Sequence, residues 1–367
     1  MNKKHRILFI MHMPPPVHGA AMMGKYIHDS QIINEAFDCY YINLTLAKDL
    51  QDIGKGGIHK LGDFLQLLHR IRKETKRIKP NLVYVTPNAC GGAFYKDWVV
   101  VMMLKAMKQK VIIHYHNKGV ATRQDRLLDN FLYKYFFKGI KIILLADVLY
   151  EDIKKYVSKK NIFICPNGIP ESTGYNRKHI TNEVPHILFL SNMIASKGVW
   201  ELVEACRILK EKDMAFQCDF VGKWGDITEQ DFNAIIHKKR LEDCVKAYGA
   251  KYGEEKEKCF DHTDIFAFPT YYNNECFPIV LLEAMQHGLP CISTTEGGIP
   301  NIIDNGKTGF IVEKHNATQL ADKIAWLISH PKQSKEMGEN GYRKYQKEFT
   351  LSVFENRMKE ILMECVQ

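Results

Sequence analysis

The feature that most constrains the fold is a series of short apolar runs, separated by longer amphipathic stretches, that continues along the whole chain. In runs such as RILFIM at 6–11 and HILFLS at 186–191, apolar residues follow one another almost without alternation, which is typical of parallel strands buried on both faces. The intervening segments, such as 199–211, 277–288 and 317–330, have the pattern of helices. The alternation predicts an α/β protein with parallel sheets.

The strand-like runs form two series. They lie at 6–11, 81–86, 110–116, 141–146 and 161–166, and again at 186–191, 216–222, 245–249, 264–270 and 290–295. Residues 166–185 between the series are rich in Gly, Pro, Asn, Ser and Thr, as a domain boundary is. We therefore expect two doubly wound, Rossmann-like domains whose sheets turn their carboxyl ends toward one cleft.

The predicted boundaries follow from these series. A first domain occupies residues 1–170, a linker 171–185 and a second domain 186–345. Residues 346–367 are expected to form a helix that crosses back to the first domain.

Charge is distributed unevenly between the two halves. The chain carries +9 in total, but residues 1–180 carry +15 (29 basic, 14 acidic) and residues 181–367 carry −6 (22 basic, 28 acidic). A basic half suggests a phosphate-rich partner, either membrane headgroups or nucleic acid. The alternative is a solvated, lysine-rich face.

Cysteine spacing and apolar run length indicate the compartment. The ten cysteines include no C-x-x-C pair, which predicts reduced thiols in a cytoplasmic protein. The apolar run at 7–11 is too short for a signal peptide. The longest apolar run, 98–104, is far below the roughly 18 to 20 residues that cross a bilayer, so we expect any membrane contact to be peripheral.

Two segments in the first half contain candidate residues for ligand binding. Gly19 and Ala20 lie between the first strand-like run and a helical pattern, where a helix N-terminus can receive an anion; an ordinary strand-to-helix turn has the same pattern. The run 110–116 ends in His114 and His116, which alternation directs to one face. No third metal ligand is evident nearby, and a buried histidine satisfied by hydrogen bonds is the other interpretation.

The second half contains a lysine and two glutamates in informative positions. Lys197 follows a strand and precedes a helix, so it either reaches a phosphate at the mouth of the sheet or is a solvated surface lysine. Glu275 precedes an apolar helical pattern and Glu283 lies within it. On one helix they would be about 12 Å apart, too far for the carboxylate pair of direct glycoside hydrolysis. A buried Glu283 needs partners, either a ribose diol or a neighbouring lysine.

These residues, taken in order, resemble a known family. Glu275 and Glu283 form an E-x7-E motif, followed by GGIP at 297–300 and GKTG at 306–309. With PNG at 166–168 and KG at 197–198, the set resembles the family-four retaining glycosyltransferases of the GT-B fold. The resemblance implies transfer of a sugar from a nucleotide-diphosphate donor with retention of anomeric configuration, with no cofactor and no required metal.

The resemblance also implies roles for single residues. Glu275 would lie over the donor sugar near the reacting carbon, and Glu283 would hold the ribose hydroxyls. Lys197, together with the loop at Gly19 and Ala20, would stabilise the leaving diphosphate.

Three more residues match the donor site of the family. His116 would lie near the sugar and the diphosphate. The N–H groups around Cys276 and Phe277 would contact sugar hydroxyls.

Two departures from the family pattern concern the donor site. Asn192 stands where the family usually has an arginine, so one of two expected positive charges on the diphosphate is missing. The cations that could replace it are Lys118, Arg123 and Lys223. Pro278 stands where many members have glycine, which removes one backbone donor beside the sugar.

The first half also contains a segment suited to a membrane surface. Residues 64–79, FLQLLHRIRKETKRIK, read as a basic amphipathic helix. Its apolar residues are Phe64, Leu65, Leu68, Ile71 and Ile78, and its basic residues are Arg70, Arg72, Lys73, Lys76, Arg77 and Lys79. Residues 127–138 add aromatic and apolar side chains, although core packing explains some of them.

The leading prediction is a glycosyltransferase that builds a lipid-linked surface polysaccharide, such as capsule, exopolysaccharide or lipopolysaccharide, on the inner face of the cell membrane. Its partners would be a nucleotide sugar, with uridine, guanosine or adenosine as the base, a glycan or lipid-linked acceptor and an anionic membrane. A non-catalytic sugar-nucleotide-binding or scaffold protein of the same fold is the alternative that Asn192 suggests. Nucleic-acid binding ranks last because aromatic-interleaved modules are absent.

Overall fold

The computed structural model describes residues 4–15, 19–44, 58–172 and 182–367. The chain divides into two compact units, an N-terminal unit of residues 1–168 with 351–367 and a C-terminal unit of residues 169–350. Residues 16–18 of the predicted anion-binding loop and 173–181 of the predicted linker lie outside the described residues.

A parallel six-stranded sheet forms the centre of the N-terminal unit. Its strands are β1 (Arg6–Met11), β2 (Asp38–Asn43), β3 (Leu82–Val85), β4 (Val111–His114), β5 (Lys141–Leu144) and β6 (Ile162–Ile164), and they lie in the order β2-β1-β3-β4-β5-β6. β3 and β4 are buried at every residue, and β1 at every residue except Arg6. Their unbroken apolar character matches this burial, because helices cover both faces of the sheet.

The following helices of the N-terminal unit connect consecutive strands of this sheet. They are α1 (Gly19–Asp29), α2 (Gln31–Ala36), α3 (Ile58–Ile78), α4 (Gly91–Ala106) and α5 (Leu127–Phe137). The connections through α3, α4 and α5 advance across the sheet in one direction, and α3 contacts α4, which contacts α5. Since such crossovers are right-handed, these three helices form one layer on one face of the sheet.

The C-terminal unit is built on a second parallel sheet of six strands. They are β7 (His186–Leu190), β8 (Gln217–Val221), β9 (Val245–Ala247), β10 (Ile265–Phe268), β11 (Cys291–Thr294) and β12 (Gly309–Val312), in the order β12-β11-β10-β7-β8-β9. Its helices are α6 (Val199–Glu211), α7 (Glu229–Lys238), α8 (Glu254–Asp261), α9 (Ile279–Gln286), α10 (Ile299–Ile302), α11 (Ala317–Ser329) and α12 (Pro331–Glu348).

The last helix, α13 (Leu351–Val366), belongs to the N-terminal unit, where it packs on α2. Phe354, Met358 and Leu362 form its buried stripe. This i, i+4, i+8 spacing places the three side chains on one side of the helix.

Each of the ten predicted strand-like runs contains a strand, and the prediction of parallel doubly wound sheets is confirmed. Two further strands, β2 and β12, lie outside the predicted runs, and both are edge strands of their sheets. In β2 only Ile42 is fully buried, and β12 has four residues and begins with glycine, so neither has a long unbroken apolar run.

Candidate active site

The C-terminal sheet has a topological switch point at β7. This strand pairs with β8 on one side and with β10 on the other. Ligands of doubly wound sheets bind outside the carboxyl ends of the strands at such a point. The loop 191–198 after β7 and the loop 269–278 after β10 both start at this edge. They contain six of the predicted site residues, Asn192, Lys197, Glu275, Cys276, Phe277 and Pro278, and a seventh, Glu283, lies in the helix that follows.

Lys197 is held at this edge by a close approach of the two loops. It ends a short 3₁₀ turn and is followed by Gly198, whose φ of +89° lies in the left-handed region that favours glycine. A Cβ on Gly198 would overlap the carbonyl group of Pro269. The N–H of Tyr271 donates to the carbonyl of Ser196 at 2.8 Å, so backbone contacts join the loops directly.

The ammonium of Lys197 forms an ion pair with the carboxylate of Glu275, and their side chains are only 15% and 12% exposed. The same ammonium lies 4.4 Å from the centre of the Tyr272 ring and 5.6 Å from that of Phe268. One carboxylate and two aromatic rings therefore surround the charge. Its low exposure to water strengthens each of these interactions.

Glu275 lies in a loop that the turn after β11 supports. The N–H of Gly298 donates to the carbonyl of Cys276 at 2.6 Å. Gly297 has a φ of +54°, and a Cβ there would overlap the carbonyl oxygen of Glu275. The two glycines of the GGIP motif thus allow the turn after β11 to contact the backbone of Glu275 and Cys276. This contact fixes the position of the Glu275 loop at the sheet edge.

The residues after Glu275 lead into α9. Cys276 and Phe277 are buried, and Pro278 is the N-cap of the helix, which begins at Ile279. Glu275 precedes the helix and Glu283 lies within α9, as the sequence pattern predicted. The separation calculated for two glutamates on one helix therefore does not apply to this pair.

Glu283 has a partner that the sequence analysis left open. Its carboxylate accepts a hydrogen bond from Nζ of Lys256, on α8, at 2.5 Å. Burial raises the pKa of the Glu283 carboxyl, and the adjacent ammonium opposes that rise. A lysine 27 positions away carries no local sequence signal, so Lys256 could not be identified before the fold was known.

A second ion pair lies beside the GGIP turn. Glu296 is 1% exposed, and its carboxylate accepts a hydrogen bond from Nζ of Lys314 at 2.5 Å. Thr294, at the end of β11, donates its hydroxyl to the carbonyl of Thr270, where the Glu275 loop begins. The turn therefore holds the Glu275 loop near both of its ends. Sequence reasoning missed this pair for the same reason as Lys256.

Asn192 is exposed at the start of the Lys197 loop. The neighbouring Met193 donates its N–H to the carbonyl of Lys223 at 2.8 Å, which places the backbone of Lys223 beside this position. The side chain of Lys223 is exposed. Of the three cations considered as replacements for the absent arginine, Lys223 lies in the same unit as Asn192.

Two predicted residues open the first helix of the N-terminal unit. Gly19 is exposed and Ala20 is half-buried in the first turn of α1, the first described helix after β1. The N–H groups of a first helical turn have no partner within the helix, and they are suited to an anion.

The two histidines at the end of β4 have different environments. His114 is fully buried, and its Nδ1 lies 2.7 Å from the hydroxyl of Tyr84. Burial lowers the pKa of His114, and His116 lowers it further. His116 is half-buried, and the two ring centres are 4.2 Å apart, as the predicted common face requires. His114 is thus the hydrogen-bonded core histidine.

The loop that continues from His116 is fixed by a carboxylate. Asp152 accepts hydrogen bonds from the N–H groups of Gly119, Val120 and Ala121 at 2.9 to 3.1 Å. This loop therefore has a defined path at the carboxyl edge of the N-terminal sheet.

A buried aspartate stabilises the neighbouring loop. Asp97, on α4, accepts hydrogen bonds from the N–H and side-chain amide of Asn88, and burial raises its pKa to about 6. Asn88 in turn accepts a hydrogen bond from the side chain of Asn117. The loops after β3 and β4 are joined by this network.

The predicted amphipathic helix is present as α3, but its apolar side is not free for lipid. Phe64, Ile71 and Ile78 are buried in the core, and Leu68 is half-buried, while Leu65 is 57% exposed. All six predicted basic residues are exposed. The outer face of α3 is therefore mainly cationic.

Apolar side chains reach the surface on α5 instead. Leu127, Phe131 and Tyr135 are 91%, 56% and 49% exposed and follow an i, i+4, i+8 stripe, with Leu128 beside them at 60%. On the adjacent α4, Tyr95 and Val99 are about one-third exposed, at 36% and 38%. No helix among the described residues is long and apolar enough to cross a bilayer.

Comparisons with known proteins agree with this geometry. Residues 176–344, which lie within the C-terminal unit, match the model of the family described as glycosyl transferases group 1. The amylovoran biosynthesis glycosyltransferase AmsK of Erwinia amylovora is 29% identical over 225 residues, which cover 59% of this chain and 55% of AmsK. The capsular polysaccharide biosynthesis glycosyltransferase CapM of Staphylococcus aureus is 25% identical over 168 residues, or 45% of this chain and 42% of CapM.

This chain thus spans about half the length of these curated relatives. A solved structure, Anabaena Alr3699/HepE in complex with UDP, matches with a TM-score of 0.73 at 15% identity, over 98% of this chain and 100% of that one. That likeness establishes the fold, and the predicted GT-B class is confirmed.

Proposed function

We propose that this protein is a retaining glycosyltransferase that moves a sugar from a nucleotide-diphosphate donor to a glycan acceptor. The observation that carries the proposal is the Lys197–Glu275 pair at the switch point of the C-terminal sheet. An ammonium suited to a diphosphate lies there beside a carboxylate suited to the hydroxyls or the developing positive charge of a sugar. The family match of residues 176–344 supports the same reaction class.

The donor roles follow from position along this edge. Lys197 would neutralise the leaving diphosphate, Glu275 would lie over the sugar, and the backbone at Cys276 and Phe277 would contact its hydroxyls. Glu283 would exchange part of its contact with Lys256 for a ribose diol. In the N-terminal unit, His116 and the first turn of α1, with Gly19 and Ala20, are the residues that we assign to the sugar and the diphosphate.

These assignments require neither a metal nor an organic cofactor. In this proposal the charge on the leaving diphosphate is met by Lys197, by helix N–H groups and by a second cation. We assign that second cation to Lys223, because its backbone is bonded to the loop that contains Asn192. Lys223→Ala should weaken binding of nucleoside diphosphates, whereas Lys238→Ala, an exposed lysine on α7, should not.

We place the reaction in the biosynthesis of a surface polysaccharide with a lipid-linked acceptor. The names of AmsK, for amylovoran biosynthesis, and CapM, for capsular polysaccharide biosynthesis, support the polysaccharide. The complex of Alr3699/HepE with UDP supports a nucleoside diphosphate as the leaving group. Uridine is accordingly the first base to test.

The test is a donor screen with the purified full chain. UDP-, GDP- and ADP-sugars are incubated with membrane extracts or lipid-linked glycans, and release of the nucleoside diphosphate and the anomeric configuration of the product are measured. The proposal expects release from one donor class and a product with the anomeric configuration of the donor. Tight nucleotide binding without any transfer or donor hydrolysis would favour the non-catalytic alternative.

We further propose that the layer of α3, α4 and α5 docks on an anionic membrane at the inner face of the cell membrane. Exposed cations on α3 would attract anionic headgroups, and the α5 stripe would insert apolar side chains. Arg126, Lys134 and Lys138 are exposed next to that stripe. Sedimentation with vesicles tests this: binding to anionic but not neutral vesicles is expected, and equal binding to both, or none, would contradict it.

A further inference from the structure

Tyr272 lies between the two residues that define the candidate site. Its ring centre is 4.4 Å from the ammonium of Lys197, and its carbonyl accepts a hydrogen bond from the N–H of Glu275 at 2.8 Å. Its own N–H donates to the hydroxyl of Thr270 at 3.2 Å, which fixes the turn. The ring is half-buried in a loop, in contrast to Phe268, which belongs to the core at 1% exposure.

The carboxylate of Glu275 and the ring of Tyr272, which both contact the Lys197 ammonium, would respond differently to a bound diphosphate. A carboxylate competes with a diphosphate for the same ammonium, and the two anions repel each other. An aromatic ring is neutral, and its face attracts the cation from one side while the other side stays open to a phosphate. The ring contact can therefore persist in the presence of the diphosphate, whereas the Glu275 contact must weaken.

We propose that Tyr272 is a positioning residue that holds the ammonium of Lys197 against the diphosphate of the donor. The inference rests on the proposed function, because it requires a nucleoside diphosphate at this edge. The ring would restrict the long, flexible side chain of Lys197 to one direction, which reduces the conformational entropy that the side chain loses when it binds the diphosphate.

The experiment compares Tyr272→Leu with Tyr272→Phe, which keeps the ring. Dissociation constants of UDP and UMP, GDP and GMP, and ADP and AMP are measured by calorimetry on the full chain. Tyr272→Leu should raise the dissociation constant of the nucleoside diphosphate that wild type binds by about threefold to tenfold. The dissociation constant of the matching monophosphate should change by less than about twofold. Tyr272→Phe should bind both nucleotides like wild type.

A double-mutant cycle separates positioning from a general structural effect. In a Lys197→Met background, Tyr272→Leu should have no further effect on diphosphate affinity, since the ring then has no ammonium to hold. Equal weakening of mono- and diphosphate, or the same loss with and without Lys197, would overturn the inference while leaving the proposed function intact. A wild-type chain that binds no nucleoside diphosphate would overturn both.

Discussion

The ammonium of Lys197 and the carboxylate of Glu275 pair with each other across loops that follow two neighbouring parallel strands. In the proposed reaction, each of these groups faces a different part of the donor. A bound donor would therefore compete with this ion pair for both groups. Donor binding would replace the ion pair within the protein by two contacts with the ligand, one between Lys197 and the diphosphate and one between Glu275 and the sugar.

The Gly297 contact predicts a specific effect on activity. Gly297→Ala should lower sugar transfer by at least about tenfold, because the new Cβ would push the carbonyl of Glu275 away. Gly306→Ala is the matched control: Gly306 also has a positive φ, of +78°, but no atom lies within 4 Å of its would-be Cβ. Backbone strain should cost each variant about 1 kcal/mol of stability, and the overlap with the Glu275 carbonyl adds a further loss in Gly297→Ala alone. Equal transfer rates in the two variants would contradict the supporting role of this turn.

Removing Lys256 should make stability depend more strongly on pH. The folded pKa of Glu283 is raised by burial, so its carboxyl binds a proton more readily in the folded than in the unfolded chain. A group of this kind favours folding below its unfolded pKa, and the benefit is lost as pH rises through the folded pKa. Lys256→Met should raise the folded pKa further and cost about 2 kcal/mol at pH 7, allowing for the partial exposure of both side chains.

The measurement for this variant is thermal unfolding of Lys256→Met and wild type at pH 4.5 and pH 7. The difference in unfolding temperature should be larger at pH 7, where an unpaired Glu283 carboxylate would be charged. A difference that is the same at both pH values would show that the ion pair does not stabilise the carboxylate form. Lys212→Met, which removes an exposed pair with Asp322, is the control expected to change little.

The exposed α5 stripe predicts how the protein meets a membrane. The double change Leu127→Ser and Phe131→Ser should reduce partition onto anionic vesicles by about tenfold or more, since both side chains would otherwise leave water. Tyr252→Ser, at a 71% exposed aromatic of the C-terminal unit, should have no effect. If the stripe variant binds vesicles like wild type, the apolar part of the docking proposal is wrong.

Charge reversal on α3 tests whether electrostatic attraction contributes to the proposed membrane docking. Arg72→Glu with Lys76→Glu should weaken binding to anionic vesicles by about 1 kcal/mol for each cation removed, and more strongly at low salt. Both side chains are exposed, so the fold should not change. Sedimentation at two salt concentrations measures the effect, and a result that does not vary with salt would contradict it.

The sequence predicted the parallel sheets well because buried strands need unbroken apolar runs, as in β1 and β10, and such runs are visible locally. It failed for β2, where only Ile42 is fully buried, and for β12, whose apolar run after Gly309 is only three residues long. The sequence pattern of α3 predicted an amphipathic helix but could not show what its apolar side packs against, for a related reason. Amphipathicity gives the angle between apolar and basic stripes, but whether Phe64 and Ile71 face lipid or the core depends on the sheet beneath them.

The sequence predicted which loops carry residues of the candidate site, but it did not predict which of those residues contact each other. Lys197 and Glu275 were assigned separately, and their contact follows from the adjacency of β7 and β10, which the sequence does not encode locally. The pairs Lys256–Glu283 and Lys314–Glu296 join residues 27 and 18 positions apart in different segments of the chain. Such partners become identifiable only when the topology is known.

The most direct test of the account is one variant, Glu275→Gln, measured for both transfer and binding. Sugar transfer should fall by about 100-fold or more, because the carboxylate at the sugar is lost. Binding of the nucleoside diphosphate should be unchanged or tighter, because the ammonium of Lys197 is no longer paired with a carboxylate. Transfer at the wild-type rate, or a loss of diphosphate binding equal to the loss of transfer, would contradict the assignment of this edge as the donor site.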